Sequence, residues 1–375
     1  AVMSQNIGAG RPGIAYQARQ LGLAFNAVLG VIMSLFLSLG AGTILSGVGV
    51  ADALMQPAKT YLQIVGGFCI LNALIPICSS YLRAFGFSKE PLYASIIGNV
   101  INFCLNAFFL FVLHKGVAGV ATATVISRII NLVIVVLLGA VLVKAKQHPE
   151  RESNRAVMGQ IIRIGLPSAC ETAIYNVSMT LVIRFLNQMD AQGLNVTARS
   201  YTMQITNFSY CVGAALAQAN AIMTGWHIGA KEYDACDRGT RKAAIIGVIV
   251  AVILETMFAL CSGWIMQLFS KDPQMVSLVG KLLAIDIVLE MGRVTNLVYG
   301  QALKTSGDAV FPVVMGACFM ILCSVGGTYL FGIRLGLLAV GAYIGMAGDE
   351  CVRAVGMYLR WKSGKWKEKG LVKSR

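Results

Sequence analysis

The chain has 375 residues, of which 57% are hydrophobic and 13% charged, and its mean hydropathy is +0.71. Soluble domains carry about 25% charged residues, so this composition excludes a water-soluble globular protein and makes lipid the solvent for most of the surface. The net charge of +14 does not point to nucleic acid, because the basic residues sit in short loops between long apolar runs and form no stripe interleaved with exposed aromatics.

In chain order, Ala1-Val2-Met3-Ser4 lacks the charged region and short apolar core of a signal peptide. Residues 1–8 read as the last turns of a helix closed by Gly8 and Gly10. A spanning helix needs roughly 20 mostly apolar residues. About ten such runs follow, near 19–44, 59–82, 91–114, 117–143, 158–187, 197–226, 241–269, 275–303, 309–332 and 336–360. The short connections predict antiparallel neighbours. The organisation is an N-terminal lobe over 1–143, a polar linker over 144–157, a C-terminal lobe over 158–360 and a basic tail over 361–375. The linker is charged and long enough to act as a flexible hinge strap. Most of the ten cysteines lie inside apolar runs and read as small hydrophobes. His114, His148 and His227 are far apart and give no zinc-ligand spacing.

Loop charge sets the orientation. Arg11, Arg19, Arg83, Lys89, Lys144, Lys146, Arg151, Arg155, Lys231, Arg238, Arg241, Lys242, Lys304 and the tail lysines fall on one side. The other side holds little beyond Lys59, Lys115, Lys271 and Arg334. The basic side, with the C-terminus, is expected in the cytoplasm. Trp361 and Trp366 are expected at the lipid interface. The tail reads first as a topology determinant, with contact to anionic lipid as the alternative.

An internal repeat is visible. Ile7-Gly8-Ala9 recurs as Ile228-Gly229-Ala230, 221 positions later. At the same offset Arg83, Gly86 and Pro91 become Lys304, Gly307 and Pro312. A basic residue ends a helix, glycine reverses the chain and proline opens the next helix. An even number of helices per repeat gives both halves one orientation, so the repeats are parallel. If the halves are equal, one helix and most of another, about 60 residues, precede Ala1.

These residues resemble the multidrug and toxic compound extrusion (MATE) family of transporters. Met3-Ser4-Gln5-Asn6-Ile7-Gly8-Ala9-Gly10 resembles the end of the family's second helix. Arg83-Ala84-Phe85-Gly86 through Pro91 and Gly98-Asn99-Val100-Ile101-Asn102 resemble the fourth-to-fifth helix passage. Gly165-Leu166-Pro167 resembles the start of the seventh helix, and Ala302 to Asp308 the end of the tenth. The resemblance spans nearly the whole chain. It implies an all-α polytopic bundle of two six-helix lobes, and transport of organic cations or other amphiphiles against an inward flow of Na⁺ or H⁺. It also implies no cofactor beyond the transported ion, and action as a monomer in a plasma membrane, expected to be bacterial. In some members the first helix carries an acid of the N-lobe cation site.

Ionisable groups at bilayer depth are functional candidates. Glu171, Tyr175 and Ser178 form an i, i+4, i+7 stripe, and Ser200, Gln204 and Asn207 repeat that spacing on the next helix. Together they suggest a wet pocket in which a lone Glu171 carboxylate binds Na⁺ or carries H⁺; an interhelical hydrogen bond is the alternative. Asp286 and Glu290, with Arg293 three residues on, put two acids and a base on one face. Asp286 and Glu290 are candidates for a cation, Na⁺ at Asp286 included, or for the substrate; the alternative is a structural Glu290–Arg293 pair that leaves Asp286. Asn99, Asn102 and Asn106 form a third stripe, suited to amide coordination, cavity lining or packing. In some members of the family the last of these is an acid. Asp349, Glu350 and Arg353 read as a structural network that Arg128 could join. Glu255 has no evident partner in sequence.

Three functions compete. A cation-coupled antiporter uses the membrane-depth acids. A lipid-linked oligosaccharide flippase would need a basic cavity, for which Arg128 and Arg353 are the candidates. An intramembrane enzyme would need a nucleophile or metal constellation, and no such motif falls inside a helix.

Overall fold

A computed structural model describes residues 1–48, 51–143, 150–189 and 193–372. They form α1 (Val2–Gly8), α2 (Pro12–Leu39), α3 (Ala41–Val48), α4 (Asp52–Tyr61), α5 (Ile70–Ala84), α6 (Lys89–Ala107) and α7 (Gly116–Leu142). Then come α8 (Asn154–Met189), α9 (Leu194–Gly229), α10 (Tyr233–Leu260), α11 (Ser262–Met266), α12 (Pro273–Ser306), α13 (Val310–Phe319) and α14 (Leu338–Lys362). Wider π-helical turns extend α4 over Leu62–Gly66, α6 over Phe108–Val112, and α13 over Met320–Val325 and Thr328–Arg334. No strand occurs among the described residues. Helices satisfy their own backbone groups, as hydrocarbon demands.

Every expected run is helical, although 19–44 breaks at Gly40, 59–82 is bent between α4 and α5, and 241–269 breaks at Cys261. By length and apolarity alone, α2, α7, α10 and the extended α6 and α13 qualify as spans, and the α4–α5 pair, bent by 40°, makes a sixth. The rods α8, α9, α12 and α14 are long enough, at 36, 36, 34 and 25 residues, but too polar to qualify. They carry most of the ionisable side chains of the candidate site, with Glu255 added from α10.

The repeat fixes the element boundaries. Shifted by 221, the bounds of α2 fall on those of α10, and the starts of α4 and α6 fall on the starts of α12 and α13. Gly86 and Gly307 share a left-handed backbone, with φ of 89° and 97°, where a side chain would be strained. Asp272 caps α12 by accepting from the Gln274 amide at 2.9 Å, with Pro273 at the first helical position.

The chain forms two compact units. One is Gly10–Gly159; the other is Gln160–Arg375 together with Ala1–Ala9. In the first, Gly30 lets α2 approach α5 so closely that a Cβ there would lie 2.9 Å from the Ile70 Cα. The Arg19 guanidinium stacks 4.8 Å over the Tyr81 ring. Residues 144–149 of the expected hinge strap lie outside the described residues. Its end is held: the Gln17 amide donates to the Glu152 carbonyl at 2.7 Å and to Asn154 Oδ1 at 2.6 Å, and its oxygen accepts from the Glu152 amide at 3.2 Å.

Residues 1–9, assigned to the N-terminal lobe on sequence order, pack instead in the second unit. The cause is glycine. A Cβ on Gly8 would strike the Trp226 carbonyl, and one on Gly229 would strike the Gln5 carbonyl. Gly8 and Gly229 are repeat mates, as are Gln5 and Trp226. Small residues allow such backbone approach between helices in lipid. The Gln5 side chain, fully buried, donates to the Thr305 carbonyl at 2.5 Å.

The tail folds back on this unit. Trp361 and Trp366 are 2% and 1% exposed, not spread at a lipid interface, and their rings stack 4.1 Å apart. Trp361 Nε1 donates to Asp237, and Trp366 Nε1 to the Trp361 carbonyl. The Leu371 amide donates to Gln5 Oε1 at 2.8 Å. Asp308 accepts from Arg360 Nε and Lys369 Nζ, both at 2.7 Å. Each ring thus finds both apolar cover and a partner for its N–H. Residues 373–375 lie outside the described residues.

Burial alone would push the Asp308 carboxyl up, but hydrogen bonds and charge from Arg360 and Lys369 outweigh it and hold the group below the ordinary carboxylate value. Its stabilisation is therefore present above the unfolded value of about 3.9 and is lost as pH falls through the lower folded value. Thermal unfolding of detergent-solubilised D308N is expected at lower temperature than wild type at neutral pH, with a flatter decline below about pH 4. Separately, G229A is expected to destabilise by about 1–3 kcal/mol through overpacking. G239A, at a glycine with no atom within 4 Å of an added Cβ, should leave the unfolding temperature unchanged or raise it.

Candidate functional site

The second unit buries a band of charge, and close helix packing assembles it. Val294 of α12 is wedged between two glycines: added Cβ atoms on Gly213 of α9 and Gly247 of α10 would lie 2.7 and 2.6 Å from its methyls. One turn from this wedge stand Ser209 on α9 and Glu290 on α12; two turns away stand Asp286 on α12 and Glu255 on α10. Gly292 brings α12 against α14, where its Cβ would lie 2.8 Å from the Cys351 amide nitrogen. That contact sets Arg293 beside Glu350.

The ion pairs follow. Arg293 bonds Glu290 one turn away, and its Nε lies 3.6 Å from Glu350. Arg353 is bidentate to Asp349, at 2.9 and 2.8 Å, and reaches Glu350 at 2.9 Å. Ser324, on a π-turn after α13, donates to Asp349 at 3.0 Å, and Asn296 donates to Glu350 at 3.0 Å. Such π-turns often mark functional positions. Five acids therefore share two arginines: Glu255, Asp286, Glu290, Asp349 and Glu350 against Arg293 and Arg353. The shortfall sits on one side. Asp286 is 2% exposed and its Oδ2 has no hydrogen-bond partner among the described residues. Glu255 is fully buried and neither of its oxygens has one.

The sequence of the MatE family matches residues 1–108 and 167–330. The chain belongs to the MatE family. It is 32% identical to the "Uncharacterized transporter YisQ" of Bacillus subtilis over 99% of this chain and 82% of that protein. It is 22% identical to a "Probable multidrug resistance protein NorM" of Thermotoga maritima over 90% of this chain and 76% of that one. A solved MATE structure in a straight conformation superposes with a TM-score of 0.88 at 19% identity, covering 98% of this chain and 83% of that one. An outward-facing MATE transporter gives a TM-score of 0.87 at 17% identity, over 98% and 83%. Both the all-α polytopic fold and the MATE resemblance expected from the sequence hold, and the family consists of membrane transporters rather than enzymes.

In this MatE transporter several expected residues stand differently. Glu171 is not a lone carboxylate: Lys304 Nζ lies 2.6 Å away, both side chains being largely buried. In the sequence Lys304 reads as a loop charge that ends a helix at a repeated corner. Tyr175 is 39% exposed and lies near Arg293, while Gln204 and Asn207 are exposed on α9. The expected Glu290–Arg293 pair and the Asp349–Glu350–Arg353 network are both present. Arg128 belongs to α7 in the Gly10–Gly159 unit, and the network closes without it. In that same unit Asn106 Nδ2 donates to Asn102 at 3.0 Å and Asn102 Nδ2 to Ser127 at 3.3 Å. Asn106 Oδ1 keeps no partner among the described residues, and Asn99 faces outward. A polar cleft of about 360 Å³ lies near the linker, lined by Tyr16, Gln17, Gln20, Arg151, Glu152 and Asn154, and it holds no buried acid.

Removing one partner from a buried ion pair costs about 3–5 kcal/mol, whereas replacing both with apolar groups is often neutral. R353L is therefore expected to destabilise the transporter by about that amount, and D349L/R353L by much less. Thermal unfolding of the two variants in detergent checks the ordering.

Proposed function

We propose that this transporter exports amphiphilic organic cations and related drugs by alternating access, driven by inward Na⁺ or H⁺. The observation that carries the reading is Asp286, buried in α12 with a carboxylate oxygen that has no hydrogen-bond partner among the described residues, while Arg293 is committed to Glu290 and Glu350. Uncompensated carboxylate charge in lipid is costly, and a cation taken up there offsets it. Coupling requires that ion and drug each favour a different state of the protein. The names of relatives such as NorM support drug export. The location we propose is a bacterial plasma membrane with the C-terminus in the cytoplasm, an orientation that the distribution of basic residues among the loops supports.

A lipid-linked oligosaccharide flippase needs free basic groups for a polyprenyl phosphate. Arg353 is held by two carboxylates, which disfavours that cargo. Proteoliposomes loaded with ethidium decide between them. Ethidium movement should follow an imposed Na⁺ or H⁺ gradient in wild type, and D286N should lose about 5–150-fold of the gradient-driven component, the usual range of coupling between sites. Ethidium movement that ignores both gradients would refute the proposal.

A further inference from the structure

The Gly10–Gly159 unit holds a positive charge that its own described residues do not balance. The sequence puts Arg19 at the foot of a helix, but α2 begins at Pro12, so Arg19 lies about 10 Å further along the axis. It joins no ion pair among the described residues, and its Nε has no hydrogen-bond partner there. The side chain is partly exposed, so an anion can reach it. Its guanidinium lies over the Tyr81 ring of α5, with Cys78 beside it one turn along the same helix. Gly139 of α7 borders both: a Cβ there would come 4.0 Å from Arg19 Nη2 and 3.8 Å from the Tyr81 ring. Tyr81 is 1% exposed and its hydroxyl also lacks a partner among the described residues. The Tyr16 ring, one turn before Arg19, lies 6.4 Å from that of Tyr81. The Tyr16 hydroxyl accepts from Gln20 at 2.9 Å, which leaves its own proton to donate. A guanidinium and two hydroxyls therefore gather donors in want of an acceptor.

We infer that Arg19, backed by Tyr81 and Tyr16, holds the phosphate of an anionic phospholipid as a resident lipid of this unit. Depth favours it. Tyr81 and Gly139 stand one turn from the ends of α5 and α7, at Ala84 and Leu142, on the side where α2 starts. Headgroup regions add roughly 5–8 Å to each side of the hydrocarbon core, and an arginine side chain can extend into them. A guanidinium meets a phosphodiester with two parallel N–H···O bonds, and stacking on Tyr81 fixes its plane. The remaining phosphate oxygens give the tyrosine hydroxyls their acceptors. Tyr16 is also a wall of the polar cleft, so a headgroup continuing past the phosphate meets Gln20 and Asn154. Free phosphate shares this chemistry, but α2 runs on with Phe25, Leu29 and Ile32 exposed, which suits acyl chains. One guanidinium serves one phosphodiester and is not the set of free bases that a polyprenyl cargo requires. The inference does not depend on the exporter reading.

Native mass spectrometry of the delipidated full chain, titrated with phosphatidylglycerol or with phosphatidylcholine, tests the site. Wild type should bind phosphatidylglycerol the more tightly. R19Q should weaken the first phosphatidylglycerol bound by about tenfold or more. Y81F, which keeps the ring under the guanidinium, should weaken it by a smaller factor. R155Q, at an exposed arginine of the same unit outside the cluster, should bind as wild type does. Equal binding by R19Q and wild type overturns the inference. An equal loss in R155Q also overturns it, because the attraction would then be diffuse. Inorganic phosphate at millimolar concentration should leave the lipid in place; displacement would reassign the site to a free anion and overturn the lipid assignment. If R19Q without lipid unfolds at a lower temperature than wild type, R19K decides, since it keeps the charge and loses the fork. Weakened binding by R19K supports the site, and wild-type binding refutes it.

Discussion

Hydrocarbon leaves a buried charge nothing to bond except protein, and that constraint organises the second unit. Arg353 holds two carboxylates and Arg293 holds two, with Ser324 and Asn296 taking remaining oxygens. Those three carboxylates and two arginines fix α12, α14 and the π-turns after α13 to one another. Asp286 and Glu255 are left over. The band therefore carries more acid than base, with the unpaired carboxylates at one edge, and the proposed coupling to a cation rests on that excess.

The packing that makes the band is achieved with glycine. Gly213, Gly247 and Gly292 remove side chains where Val294 and the backbone of α14 must come close. Without a hydrophobic driving force between helices in lipid, contact area gained this way holds the bundle together. The same device appears where Gly345 of α14 meets Gly327 between the two π-turns. Polarity and close packing thus meet on α9, α12 and α14, with α10 adding Gly247 and Glu255.

Much of the architecture was legible because lipid demands long apolar runs, and a repeated turn of basic residue, glycine and proline marks its corners. The Glu290–Arg293 and Asp349–Arg353 pairs were legible because their spacing is local to one helix. The Glu171–Lys304 pair was not: its members come from separate helices, and Lys304 had a sufficient explanation at a helix end. Glu255 stood out as a lone acid, but its neighbours Ser209 and Asp286 come from two other rods, aligned by a valine wedge that no periodicity announces. The buried tryptophans were misplaced for a related reason. Flanking position suggests an interface, while the folding back of residues 361–372 is a tertiary event.

The crossing of α1 and α9 has an evolutionary reading. Gly8 sits on the carbonyl of Trp226, and Gly229 on the carbonyl of Gln5, so each member of a repeated pair touches the counterpart of its own partner. That reciprocity is the signature of an isologous contact, the kind two identical subunits make across a dyad. The two copies keep glycine at this contact as they do at the Gly86 and Gly307 corners. Neither glycine can drift alone, because each is the other's clearance.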